Sequence, residues 1–218
     1  MKIFLNDRII EFISSPPENL QTTDFLVNYQ SVSTLNEAWM DFERYEKFRK
    51  LLIIEPGFMK EDTSDAFIAF SSLFKFIPAA GGLVRNEKGE FLFIHRLGFW
   101  DLPKGKVDKK DIPGPEYSIR DIKTARNAAI REVKEETGLK SVEICNVLPA
   151  SWHIYIAKEK HVLKRTQWFE MKADSAQALK PETSEGIFLV KWTSPDAIHC
   201  ILSHTYASLR ELLLDVIF

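Results

Sequence analysis

Apolar and polar positions alternate through KIFL and RIIEFI on either side of Asn6-Asp7, which predicts two strands joined by a tight turn. Pro16 and Pro17 end that run. Leu35, Ala38, Trp39, Phe42 and Tyr45 then recur at helical spacing behind Thr34, with Glu37 three residues on as in a capping box, and predict a helix over about 35–50. Leu51 to Ile54 reads as a short strand stopped by Pro56-Gly57, and Phe67, Phe70, Leu73 and Phe74 mark a second amphipathic helix within 64–75. An aromatic stripe of this kind is a core face. No cluster of chemistry-bearing residues stands out in 1–75.

From residue 76 the pattern changes. IPAAGGLVRNEKGEFLFIHR predicts two strands about a turn at Asn86 to Gly89, with Gly81 and Gly82 allowing close backbone approach. WDLPKGKV reads as strand, turn and loop, and the polar stretch 107–120, with Pro113 and Pro115, as a long loop. Residues 121–137 predict a helix closed by Gly138. Strands are expected at 142–149, 151–157, 164–171 and 186–192, a short helix from Ser194-Pro195, and a last amphipathic helix over 205–217. Many strands and few helices point to an α+β chain with a mixed sheet rather than a doubly wound fold. The change of character divides it into a small N-terminal α/β segment, 1–75, and a main domain, 76–218.

Composition narrows the function. The 218 residues are 45% hydrophobic and 28% charged, as in a soluble globular chain. No apolar run approaches the ~20 residues of a membrane span. The charges within MKIFLNDRIIEF make it a poor signal peptide. Cys145 and Cys200 stand alone, which excludes a disulfide scaffold or a cysteine zinc site and suits the reducing cytoplasm. A net charge of −2 offers no electrostatic reason to bind nucleic acid or an anionic membrane, so neither is expected as a partner. Phosphate chemistry would have to be made locally, by a few placed groups.

Candidate chemistry lies on the helix that carries Arg131-Glu132-Val133-Lys134-Glu135-Glu136-Thr137-Gly138-Leu139. Glu132, Glu135 and Glu136 share one face at i, i+3 and i+4, where like charges repel. They also crowd the helix C-terminus, where the macrodipole disfavours anions. Two local rules are broken together, as happens where a site requires it, and a hard divalent cation such as Mg²⁺ would relieve both penalties. Ala128 and Ala129, one turn back, leave room above the carboxylates. Taken alone, E-x-x-E-E is ordinarily a solvated acidic helix end balanced by Arg131 and Lys134. The upstream Leu102-Pro103-Lys104-Gly105-Lys106-Val107 changes that balance.

Together these stretches resemble the Nudix hydrolases, whose signature runs G-x5-E-x7-R-E-U-x-E-E-x-G-U with U aliphatic. Arg131, Glu132, Val133, Glu135, Glu136, Gly138 and Leu139 match its second half and Gly105 its start. The likeness extends to AAGGLVRN, to the W-D-L-P-K-G-K run and to the Trp192 strand, over about residues 76–218. Lys123 stands where the family has its first Glu, eight residues before Arg131. Gly105 is 26 residues from Arg131 where the signature has 14, as a 12-residue insertion within 107–122 would produce. Asp111, six residues after Gly105, and Glu116 are both open as the residue in that supporting role.

The resemblance implies an α/β/α sandwich and hydrolysis, with Mg²⁺ or Mn²⁺, of a pyrophosphate bond in a nucleoside diphosphate linked to another moiety. It implies Glu132, Glu135 and Glu136 as metal ligands, a backbone carbonyl at Lys104 or Gly105 as a further contact, and Arg131 orienting the glutamates. The general base is open between a helix glutamate and Glu185, with Glu182 a lesser competitor. Pro-Lys-Gly and Leu163–Phe169 are similar to relatives acting on dinucleoside polyphosphates or diphosphoinositol polyphosphates. Dinucleoside polyphosphates are therefore the expected substrates, met by Arg96, Lys104, Lys106, Lys164 and Arg165. ADP-ribose-like nucleotide sugars or oxidised nucleotides are the alternative. A ligand-sensing or interaction protein on this scaffold is the alternative of another class, which the intact glutamate trio disfavours. Phe99, Trp100 and Trp152 are candidates to stack a base, whereas His95 and His153 read as structural. The oligomeric state is open, a homodimer included.

Overall fold

The computed structural model describes residues 1–59, 64–114, 118 and 120–218. The chain begins with β1 (Lys2–Leu5), β2 (Arg8–Ile13), β3 (Asp24–Asn28), α1 (Val32–Arg44), β4 (Lys50–Ile54) and α2 (Asp65–Ser71). It continues with β5 (Lys75–Arg85), β6 (Phe91–Arg96), β7 (Phe99–Asp101), β8 (Lys104–Lys106) and α3 (Ile122–Thr137). It closes with β9 (Glu143–Val147), β10 (Ser151–Ala157), β11 (Lys160–Lys172), β12 (Ile187–Thr193), α4 (Ile198–Ser203) and α5 (Ala207–Ile217). Two compact units result: Met1–Phe76 with Trp152–Lys164, and Ile77–Ser151 with Arg165–Phe218.

In the first unit the strand order is β10-β1-β2-β4-β3. β1 is antiparallel to β2 and parallel to β10, and β4 is parallel to both β2 and β3. The β1–β2 turn is two residues long, and Asn6 takes φ 53°, a conformation asparagine tolerates. α1 and α2 lay Trp39, Phe42, Phe67 and Phe70 on Ile3, Ile10, Phe12 and Leu51 of the sheet. α1 starts earlier than its apolar spacing suggests, because Ser31 caps it by accepting the Thr34 N–H at 3.2 Å. It also ends earlier, at Arg44. Arg8 donates to the Phe42 carbonyl, and to that of Phe48 at 2.9 Å, with its guanidinium 3.8 Å from the Phe42 ring centre. β3 has no counterpart in the sequence reading. Phe25-Leu26-Val27 is an apolar run without alternation, and pairing with β4 makes the segment a strand.

In the second unit the order is β12-β6-β5-β11, with β7 on β6, β8 on β5 and β9 on β11. α3 packs Ala125, Ala128, Ala129 and Val133 against Val84, Ile94 and Phe169. Leu83, Phe93 and Trp168 alternate with those strand residues and therefore face the opposite way, onto α4 and α5. The result is an α/β/α sandwich, as the family resemblance implied. Ala128 and Ala129 are fully buried in that packing; they bring the helix close to the sheet and leave no space above the carboxylates. Gly82 serves the same approach, since a Cβ there would lie 2.7 Å from the Met171 sulfur and 3.0 Å from a Val133 methyl. Among the described residues no helix is long and apolar enough to cross a membrane.

α3 ends at Gly138, which takes φ 79° with its N–H on the Lys134 carbonyl at 2.9 Å. An alanine Cβ there would lie 2.7 Å from the Lys180 backbone nitrogen. Gly138→Ala should therefore cost about 1–2 kcal/mol or more, and differential scanning calorimetry should show a melting temperature lower by roughly 2–8 °C.

Candidate active site

Arg131 organises the C-terminal half of α3. Its Nε and Nη2 each donate to a different oxygen of Asp111 at 2.8 Å, and Nη2 also donates to the Lys106 carbonyl at 2.9 Å. Nη1 donates to Glu132 Oε1 at 2.5 Å and to Glu135 Oε2 at 2.8 Å. All five guanidinium N–H groups are thereby used, in the two-pronged geometry that suits arginine to carboxylates. Asp111 is nearly fully buried and closes a 3-10 turn, Lys109–Asp111, whose Asp108 N–H it accepts at 2.8 Å. The Arg131 bonds hold its acid below the ordinary aspartate range against the cost of burial.

Glu132 and Glu136 turn inward against the β8 strand. The Glu132 carboxylate lies on Gly105, where any Cβ would overlap it, so only glycine permits the contact. Glu136 is fully buried and accepts the Lys104 backbone N–H at 2.8 Å. Its acid is pushed up to about 7 because burial outweighs the opposing pull of Lys104 and Arg96. Glu132 is raised for the same reason, with Arg131 opposing. Arg96 Nη1 stands 3.5 Å from Glu136 and 3.7 Å from Glu185, linking the helix to the 3-10 turn Thr183–Glu185. The Lys104 ammonium is paired with the buried Asp101 at the end of β7.

The expected site residues are thus distributed unequally. Glu132, Glu135, Glu136, Arg131, Arg96, Lys104 and Glu185 gather at one end of α3. Lys106 lies in β8 and meets Arg131 through its backbone carbonyl. Lys164 falls in the first unit, on β11, whereas Arg165 belongs to the second, where it donates to Gln167 Oε1 at 3.2 Å. Glu182 uses its carboxylate to accept Ser184 N–H and Oγ at 3.1 and 2.7 Å, within its own turn. Of the two residues left open for the missing first glutamate, Asp111 is bonded to Arg131 and Glu116 lies outside the described residues. Lys123 is exposed on the first turn of α3. Phe99 is exposed and stacks on Tyr206 with ring centres 4.9 Å apart, Trp100 is half-buried beneath Lys191, and Trp152 is core in the first unit. His95 packs edge-on against Trp100 and His153 stacks on Tyr155. Asp101 lies within the W-D-L-P-K-G-K run, but its pairing with the Lys104 ammonium is visible only in the folded chain.

Among the described residues no three His, Cys, Asp or Glu side chains stand in a metal-holding arrangement, the helix glutamates being engaged by Arg131 and the Lys104 N–H. The donor chemistry nevertheless fits a hard divalent cation. Among the described residues Asp101, Asp108, Asp111, Glu132, Glu135, Glu136 and Glu185 set seven carboxylates against the four cations Arg96, Lys104, Lys110 and Arg131. Oxygen donors in such excess suit Mg²⁺ or Mn²⁺ and disfavour a bare polyanion.

The family described as NUDIX domain matches residues 75–214. The RNA pyrophosphohydrolase of Pelagibacter ubique (strain HTCC1062) is 26% identical over 155 residues, which are 62% of this chain and 90% of that protein. Two solved structures share 26% identity: a MutT protein from Methanosarcina mazei Go1, at a TM-score of 0.46 over 65% of this chain and 93% of that one, and a C. elegans Ap4A hydrolase in a binary complex, at 0.43 over 63% and 93%. The chain belongs to the Nudix hydrolase family and is, as an enzyme, a Nudix pyrophosphohydrolase. Hydrolases of this family generally use divalent metals and act on small nucleotide substrates.

The Asp111–Arg131 pair should dominate the stability of this region. Asp111→Asn leaves arginine donors short of charge and should lower unfolding free energy in urea by about 2–3 kcal/mol. Asp111 has a folded pKa below its unfolded value of roughly 3.9, so its contribution is present above pH ~4 and lost as pH falls through the lower folded value. The wild-type chain should lose stability over that acid range more steeply than Asp111→Asn.

Proposed function

We propose that the chain hydrolyses a pyrophosphate bond in dinucleoside polyphosphates, with Mg²⁺ or Mn²⁺ held by Glu132, Glu135 and Glu136. The observation that carries this is the convergence of Glu132 and Glu136 on the Lys104–Gly105 backbone, with Arg96 and Lys104 beside them. Water attacks a phosphorus atom, the bridging P–O bond breaks, and a nucleotide leaves with the bridging oxygen. The cation, when bound, supplies Lewis-acid polarisation of the phosphoryl oxygens. Arg131 holds Glu132 and Glu135 in place, while Arg96 and two remaining N–H donors of the Lys104 ammonium meet the phosphate chain, aided by Lys106. Glu185, linked through Arg96 to Glu136, takes the proton of the attacking water. Phe99 on Tyr206 offers a face for a base. Catalysis is assigned to 76–218 in the cytoplasm, and none of it to 1–75. RNA carrying a 5′ polyphosphate is a second substrate class, favoured by the 26% identity to the RNA pyrophosphohydrolase.

Each added well-formed charge-assisted phosphate contact is worth about 1.5–3 kcal/mol, and each ~1.4 kcal/mol is tenfold. Product chromatography over a panel should therefore give a kcat/KM at least about tenfold higher for diadenosine tetraphosphate than for ADP-ribose. Preference for 5′-triphosphorylated RNA over both would replace this substrate by the second one. Mg²⁺ should raise the melting temperature by mass action. Glu136→Gln should abolish that shift and reduce kcat at least about 10²-fold, and Glu185→Gln should reduce kcat roughly 10²–10⁴-fold with the metal-induced shift retained. Hydrolysis by Glu136→Gln at the wild-type rate would refute the site.

A further inference from the structure

The first residue of β8, Lys104, lies against two carboxylates. Lys104 cannot move as a whole: a Cβ on Gly81 would lie 2.5 Å from both the Lys104 Cβ and the Pro103 carbonyl oxygen, and the Lys104 N–H is committed to Glu136 at 2.8 Å. Its side chain is largely buried, and two carboxylates lie against the residue, Asp101 at its ammonium and Glu136 at its backbone N–H. The ammonium goes to Asp101. Asp101 is itself 3% exposed and has its other oxygen fixed by the Leu102 N–H at 2.8 Å, so the acceptor is rigid. Arg96, at 3.5 Å, is the other cation beside Glu136.

We propose that Asp101 is a positioning residue: it holds the Lys104 ammonium away from Glu136 and so leaves that carboxylate available to a divalent cation. This rests on Glu136 being a metal ligand. Among the described residues Asp101 is the ion-pair partner of the ammonium; without it the ammonium turns to Glu136, which already lies on the Lys104 N–H, and competes with the cation for the same oxygens. A purely structural pair would act differently. It would support the fold, and the metal affinity of a folded variant would be indifferent to whether Lys104 carries a charge.

The test is Mn²⁺ binding to the full-length chain, read from the electron paramagnetic resonance signal of free Mn²⁺, for wild type, Asp101→Asn and the double variant Asp101→Asn/Lys104→Met. Asp101→Asn should weaken Mn²⁺ binding roughly 10–100-fold, as loss of a residue behind a ligand commonly does. The double variant has no ammonium to compete and should return to within about threefold of wild type. Asp101→Ser, which leaves room for water at the ammonium, carries the same expectation if the asparagine variant does not fold. Wild-type affinity in the folded single variant overturns the proposal, as does a double variant that stays as weak as the single one. If the wild-type chain itself binds no Mn²⁺, the metal reading of Glu136 falls, and this inference with it.

Discussion

The Arg131 guanidinium is the interaction on which the site depends. It joins an aspartate at the end of a 3-10 turn, a β8 carbonyl and two helix glutamates, with every donor matched to an acceptor. A lysine in its place would offer three donors from one point and could not span these positions. The fork explains how carboxylates can crowd a helix C-terminus, where the macrodipole and their mutual repulsion both oppose them. It also anchors a loop far longer than the family spacing, because the residue that matters in it is short, rigidly placed and bonded bidentately.

Close approach of the backbone is the second requirement. Gly105 lets Glu132 lie on the β8 strand, Gly81 lets Lys104 press against β5, and the buried Ala128 and Ala129 let α3 settle on the sheet. The two glycines give up a side chain for space that a functional group then uses, and the two alanines keep the helix close. Glu136 ends up fully buried as a consequence, and its charged form is disfavoured by burial until something positive is supplied. An acidic excess held under these conditions is a poor host for phosphate alone and a good one for phosphate accompanied by a divalent cation.

The first unit is built by different means. Aromatic side chains meet edge to face, as Trp39 does with Phe70 and Phe74 at 6.0 and 5.1 Å, and Phe67 does with Trp152 at 4.9 Å. Trp152 comes from β10, so this core closes only with residues 152–164, far along the chain from the other strands that form it. The N-terminal strands thus extend from a stretch that the family match includes.

What the sequence by itself determined is what depends on neighbours a few residues away. The helix, expected over 121–137 and observed over 122–137, and the shared face of Glu132, Glu135 and Glu136 follow from i, i+3 and i+4 spacing, and its glycine end and the Asn6-Asp7 turn from residue type. So does the family signature, because its second half is contained in one helix. What only the tertiary structure decided required partners brought together by folding. Counting from Gly105 reaches Asp111 and counting back from Arg131 reaches Lys123, since a 12-residue insertion breaks the register; the contact of Asp111 with Arg131 appears only in the folded chain. β3 exists because β4 lies beside it, and residues 152–164 join the N-terminal strands through a parallel pairing that carries no local pattern. Asp101 reads as an ordinary polar residue until burial and the Lys104 ammonium give it a role: a side chain's electrostatic meaning is set by what surrounds it, and that is fixed only when the chain has closed.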